Sequence, residues 1–170
     1  VRRATPKGPS VLAQKLLKRL PRRQQDLVKT ATILGERQGV AVYLVGGPVR
    51  DLALGTASTD LDLTVAGDAL AYAKALAAQL GARVTIHRKF GTATLVLQDG
   101  LRLDVATARR ESYAHPAALP DVWPGTIGED LFRRDFTINA MAVRLGPQGG
   151  KLLDPSGGLK DLERGLLRAL

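Results

Sequence analysis

Asp60 and Asp62 stand two residues apart in the run Asp60-Leu61-Asp62-Leu63, within a segment that alternates polar and apolar as far as Val65. On an extended strand this spacing puts both carboxylates on one face and Leu61, Leu63 and Val65 on the other. Side-by-side carboxylates repel, and one takes up a proton unless a cation neutralises the pair. A divalent metal is the natural partner. Two-metal transfer of phosphoryl or nucleotidyl groups uses bridging carboxylates of this kind, with the metals about 3.5–4 Å apart. A third acid, Asp104 in Leu103-Asp104-Val105, lies on a second apolar-flanked segment and suits a neighbouring strand. An isolated Asp-x-Asp is more often a solvated strand face than a site, and Asp104 alone admits the same reading; the three together favour a metal site.

Gly46-Gly47, separated from Asp60 by twelve residues, ends an apolar run and opens a short helical pattern. Such a turn aims backbone N–H groups and a helix N-terminus at an anion, and the missing side chains permit close approach. Arg50, one turn on, brings a guanidinium fork suited to phosphate. A second dense segment runs Arg133-Arg134-Asp135-Phe136-Thr137-Ile138-Asn139-Ala140. If it is helical, Arg134, Asp135 and Asn139 come within reach of one face and suit triphosphate, ribose hydroxyl and backbone contacts. The plainer reading is a salt-bridged helix start with Phe136, Ile138 and Met141 as its core face.

Composition narrows the chemistry. The chain has no cysteine and two histidines, His87 and His115. That excludes disulfides and thiolate sites and disfavours structural zinc. A catalytic metal must sit on oxygen ligands, which selects magnesium or manganese. No apolar stretch reaches the length of a membrane span and no signal-peptide core is visible, so a soluble, cytoplasmic protein is the expectation. The net charge of +9 is uneven: residues 1–38 hold ten Lys/Arg against Asp26 and Glu36, and the remainder is close to neutral. A basic segment beside a neutral domain suits contact with a polyanion such as RNA, or else forms a solvated helical face or a linker. The seven aromatics are scattered, which disfavours a base-stacking platform.

These residues need elements to hold them. Helical patterns cover 10–20 and 22–37, and Pro21 separates them. A buried strand spans 40–45, a short helix 48–54, a strand 61–65 and an alanine-rich helix 69–80 closed by Gly81. Strands fit 82–87, 92–98 and 101–106, the last two joined by an Asp99-Gly100 hairpin. Residues 107–127, with three prolines, read as a long surface loop. Residues 128–140 look helical, 141–145 extended, 146–150 a turn, and 158–170 helical again. This mixture favours an α+β fold over a doubly wound parallel sheet.

Val45-Gly46-Gly47-Pro48-Val49-Arg50-Asp51, the Asp60/Asp62 pair and the Arg133–Ala140 segment together resemble the head domain of the class II tRNA nucleotidyltransferase and bacterial poly(A) polymerase family, over about residues 40–168. The resemblance implies a small mixed sheet of the polymerase-beta-like nucleotidyltransferase type with helices on one side. It places metal carboxylates on Asp60 and Asp62, with Asp104 as third acidic member and Mg²⁺, two ions, as cofactor. Nucleotide contacts fall on Gly46, Gly47, Arg50 and Arg134, with Asp135 and Asn139 nearby, and the family's flexible loop falls on 108–127, including Arg109 and Arg110. The implied reaction is template-independent addition of AMP or CMP from ATP or CTP to an RNA 3′-hydroxyl, with tRNA as the expected acceptor. The product could be CCA, CC, A or a poly(A) tail. The family's neck motif Glu-Asp-x-x-Arg, which reads the incoming base, does not occur after Asp154, so a catalytic-domain fragment is expected. Its expected parts are a basic helical segment or linker (1–38), the head (39–157) and the start of a helical neck (158–170). Two other readings are a nucleotidyltransferase with a small-molecule acceptor and a noncatalytic RNA-binding module. The long Arg-Arg-Asp match argues against the first, and retention of all three carboxylates against the second.

Overall fold

Apolar residues at every second position of the central strands, and at helical spacing in the segments around them, produce one sheet with a helical layer on its apolar face. A computed structural model describes residues 8–56, 60–112, 115, 121–147 and 150–170. In chain order the elements are α1 (Pro9–Leu17), α2 (Arg22–Gln38), β1 (Ala41–Val45), α3 (Gly47–Leu54), β2 (Leu61–Ala66), α4 (Ala69–Leu80), β3 (Arg83–His87), β4 (Thr92–Val96), β5 (Arg102–Thr107), β6 (Arg109–Ser112), β7 (Asp121–Pro124), α5 (Ile127–Phe132), β8 (Ala142–Arg144), β9 (Lys151–Leu153) and α6 (Gly158–Glu163). Seven strands form a mixed sheet in the order β3-β4-β5-β2-β1-β8-β9. β2 and β5 are parallel, and the other pairs are antiparallel.

Val42, Leu44, Leu61, Leu63, Val65, Leu103 and Val105 point to one face and are buried there with Leu16, Leu27, Leu34, Val49, Leu52, Tyr72 and Leu76 of the first four helices. The Tyr72 hydroxyl, buried in this layer, donates to the Ala31 carbonyl at 2.7 Å and joins α4 to α2. The opposite face has a smaller apolar cluster of Tyr43, Val45, Leu131, Ala140 and Ala142 beneath α5. The rest of that face, at β2, β5 and β4, is left to polar side chains. The basic segment is thus partly structural. α1 and α2 share the main core with the strands, and Arg19 donates to the Leu52 and Ala53 carbonyls at the end of α3. A cation there also meets the negative end of the helix dipole.

Several expectations need correction. Residues 107–127 are not wholly loop: β6 and β7 pair antiparallel, Arg109 opposite Pro124 and Arg110 opposite Trp123. Backbone pairing of an exposed ribbon needs no apolar alternation, so periodicity could not report it. The helix expected over 128–140 ends at Phe132. Thr126 and Glu129 start it with a capping box. The chain then opens because Phe136 bridges Ala169, the Thr137 amide donates to the Arg168 carbonyl, and the Leu170 amide donates to the Asp135 carbonyl. The same pairing holds 166–170 out of a helix, so α6 stops at Glu163. β9, an edge strand of three residues, follows a stretch read as a turn.

If residues 9–38 belong to the core rather than to a detachable arm, Leu27→Ala should lower unfolding free energy by about 2–5 kcal/mol in urea titrations. An arm independent of the sheet would leave the stability unchanged.

Candidate active site

The parallel pairing of β2 and β5 sets Asp62 directly opposite Asp104. Both are half-buried on the face away from the main core, while their neighbours Leu61, Leu63, Leu103 and Val105 are buried on the other side. Asp60 precedes β2, is exposed and lies close enough to repel Asp62. Burial, and then repulsion from Asp104, push the Asp62 carboxyl above its ordinary value, partly offset by the nearby Arg134 cation. Asp104 is engaged by its own strand neighbours: Thr94 Oγ1 donates to it at 2.6 Å and the Arg102 guanidinium pairs with it at 3.0 Å. An open cleft of about 350 Å³ runs over this face, lined among others by Asp62, Thr94, Arg102, Asp104, Arg133 and Arg134.

The phosphate-binding candidates converge on one corner. Gly46 takes φ +71° and ψ −134°, a conformation that only glycine adopts readily. A Cβ added there would also come within 2.7 Å of Arg134 Nη1. Its amide donates to the Met141 carbonyl, which fastens the turn to the start of β8. Gly47 is the first residue of α3. Arg50, on the first turn of α3, donates through Nε to Asp51 at 2.9 Å and through Nη1 to Asn139 Oδ1 at 2.8 Å. Asn139 Nδ2 in turn donates to Asp135 at 3.1 Å. That bond, reinforced by the Phe136 amide, holds the Asp135 carboxyl below its usual range. The segment is not the helix expected, yet a 3₁₀ turn at Thr137–Asn139 still brings Asp135 and Asn139 together.

Arg134 donates from Nη2 to Asp130 at 3.0 Å. Arg109 is partly buried at the start of β6 and pairs with Glu111 at 2.9 Å, whereas Arg110 is exposed. The structure therefore gathers Asp62, Asp104 and Arg134 around one cleft, with Asp60 at its edge, and links Arg50, Asn139 and Asp135 in a hydrogen-bonded chain beside the Gly46-Gly47 turn. Sequence reasoning missed Thr94, Arg102, Glu111, Asp130 and Arg133. The signal for Asp130 was present: an acid three and four residues before Arg133 and Arg134 forms pairs on one helical face.

The donor set is hard oxygen, and Asp62 is a carboxylate that its surroundings press to accept a cation or a proton. Among the described residues no group of three or more acids and histidines is gathered closely enough to hold a metal ion, and the Asp104 oxygens are turned to Thr94 and Arg102. An open site on Asp62 and Asp60 suits a hydrated ion such as Mg²⁺, which retains waters and takes few protein ligands. No described helix is long and apolar enough to cross a membrane.

Residues 42–168 match the model of the poly(A) polymerase head domain. An A-adding tRNA nucleotidyltransferase of Geobacter sulfurreducens is 44% identical over 152 residues, 89% of this chain and 17% of the relative. A CC-adding tRNA nucleotidyltransferase of Deinococcus radiodurans is 49% identical over 128 residues, 75% of this chain and 34% of the relative. The chain therefore spans about a third or less of the length of these relatives. Among solved structures, the apo form II of a CCA-adding enzyme superposes with TM-score 0.87 at 42% identity, covering 94% of this chain and 38% of that one. A Thermotoga maritima CCA-adding enzyme complexed with tRNA superposes with TM-score 0.80 at 41% identity, covering 93% and 35%. Complexes of a CCA-adding enzyme with CTP and with ATP each give 0.79 at 40% identity, covering 93% and 36%.

The raised Asp62 carboxyl has a sign that thermal melts can read. Its folded value lies above its unfolded one, so its contribution to stability is full at low pH and is lost as pH rises through the folded value. Metal-free Asp62→Asn is therefore expected to melt at a higher temperature than wild type near pH 8, with the gain shrinking towards about pH 4. A gain that is absent at pH 8 or independent of pH contradicts the burial and repulsion described above.

Proposed function

The chain belongs to the poly(A) polymerase head-domain family, and from that membership we propose that it is the catalytic head of an enzyme that adds nucleotides to the 3′ end of tRNA. The reaction is attack of the terminal ribose hydroxyl on the α-phosphate of ATP or CTP, with pyrophosphate leaving. The observation that carries this reading is the placement of Asp62 opposite Asp104 beside the Gly46 turn and Arg134. The relatives solved with ATP, with CTP and with tRNA support the choice of donors and acceptor. A cytoplasmic setting goes with those substrates.

Asp60 and Asp62 would hold Mg²⁺ in this reading, two ions as the family resemblance implies. Bound there, the metal would lower the pKa of the attacking hydroxyl and neutralise charge on the triphosphate. Asp104, kept in place by Thr94 and Arg102, faces the same cleft and orients that hydroxyl or accepts its proton. Arg134 and the α3 N-terminus bind phosphate oxygens, and the backbone approach at Gly46 is close because no side chain intervenes. Arg50 is held by Asp51 and Asn139 with its charge towards the same corner. Asp135 and Asn139 are placed for the ribose hydroxyls. Arg109 and Arg110 sit on the hairpin that borders the site, where they meet the triphosphate or the RNA.

The test is transfer of labelled AMP or CMP to tRNA lacking its terminal nucleotides, in Mg²⁺. Asp60→Ala and Asp62→Ala should each reduce transfer to background while retaining the wild-type circular dichroism spectrum. Wild-type transfer by either variant refutes the assignment. Phosphate and metal contacts carry no information on base identity, and the described cleft offers little else. ATP, CTP, GTP and UTP should therefore bind this chain with Mg²⁺ within about tenfold of one another, or about 1.4 kcal/mol, in parallel calorimetric titrations. A larger preference means that the head itself reads the base.

A further inference from the structure

Asp130 lies beneath the phosphate-binding candidates, not among them. It is 1% exposed, within the short helix α5. Its Oδ2 accepts from Arg134 Nη2 at 3.0 Å. Its Oδ1 accepts from Arg133 Nε at 3.1 Å, from Arg133 Nη2 at 2.8 Å and from the main-chain amide of Arg109 at 3.3 Å. Both oxygens are thus committed to the protein. Arg133 continues outward to Glu111, donating from Nη1 at 3.1 Å, and Arg109 pairs with the same carboxylate at 2.9 Å. An arginine keeps its charge under all working conditions, and its planar fork takes its direction from the acceptor it meets. The acceptor that directs Arg134 is Asp130. Directed in this way, the guanidinium lies against Gly46 and lines the same cleft as Asp62 and Asp104.

We propose that Asp130 is a positioning residue for nucleotide binding, which aims the Arg134 guanidinium at the triphosphate between the Gly46-Gly47 turn and Asp62 and couples that aim to the base of the β6–β7 hairpin. The proposal rests on the reading of Arg134 as a phosphate ligand. A purely structural Asp130 would only neutralise two partly buried cations, and any carboxylate in its place would serve. An aiming role depends on where the oxygens are. Asp130→Asn keeps the shape but turns an NH₂ towards an arginine donor. Asp130→Glu keeps the charge but moves it by one methylene.

The experiment is calorimetric titration of the chain with magnesium tripolyphosphate, a probe with no base or sugar, for wild type, Asp130→Asn, Asp130→Glu, Arg134→Gln and the Asp130→Asn/Arg134→Gln double variant, each checked for folding by thermal melting. Expected are losses of about tenfold for Asp130→Asn and for Arg134→Gln, of the size seen when the support of a binding group is removed. The double variant should bind no more weakly than Arg134→Gln, because the two residues act through one contact. Asp130→Glu should fold and still bind severalfold more weakly. If Arg134→Gln weakens binding but Asp130→Asn does not, or the two losses multiply, this inference falls and the clamp reading stands. Should Asp130→Asn fail to fold, Asp130→Glu decides: wild-type affinity reduces Asp130 to charge balance and overturns the proposal. Undiminished binding by Arg134→Gln overturns the clamp and this inference together.

Discussion

Asp62 and Asp104 are brought side by side by main-chain hydrogen bonds between parallel strands, in a register that their own charges oppose. Like charges directly opposite one another destabilise a sheet. The pairing persists because Leu61, Leu63, Leu103 and Val105 are buried on the other face, and a slip of one residue would send those leucines to solvent and the aspartates into the core. Apolar burial thus holds the acids in a place that electrostatics alone would not choose. Thr94 and Arg102 relieve Asp104, and Asp62 is left with its carboxyl raised. Burial and that residual repulsion keep it there, and under the proposed function a bound cation would offset them.

The corner proposed for phosphate follows from the same sheet. β1 lies next to β2 and ends at Val45, so the Gly46-Gly47 turn emerges beside the entry to β2 and the acids. β8 flanks β1 on its other side, and the Arg133–Asn139 segment that leads into β8 is delivered to the same edge. Arg50 and Asn139, 89 residues apart in sequence, meet there at 2.8 Å. Arg19 secures the far end of α3, and Asp130 secures Arg134 from below. Each of these supports comes from a different part of the chain.

The charged groups at the hairpin form a third level of support. Asp130 and Glu111 are nearly buried and stand among Arg109, Arg133 and Arg134. Removing one member of such a set leaves an uncompensated charge and is costly, whereas the intact set contributes little net stability. Its value lies in direction. Three guanidinium forks are given fixed orientations at the border of the cleft that the proposed function assigns to the triphosphate.

The sequence by itself determined the strands that carry Asp62 and Asp104, the glycine turn, and the helices α1 to α4, because burial on one face leaves a local period of two or of 3.6 that can be read without knowing what lies opposite. It also determined the family, through motifs long enough to identify it. Only the tertiary structure decided the parallel register that sets Asp62 against Asp104 and the packing of the basic N-terminal helices into the core. It also decided the break after Phe132, where pairing with 168–170 overrides a helical pattern. The β6–β7 ribbon and the Asp130 network belong with these. Their common cause is contact between residues far apart in the chain, made by backbone hydrogen bonds and buried charges that impose no periodicity on the segments they join.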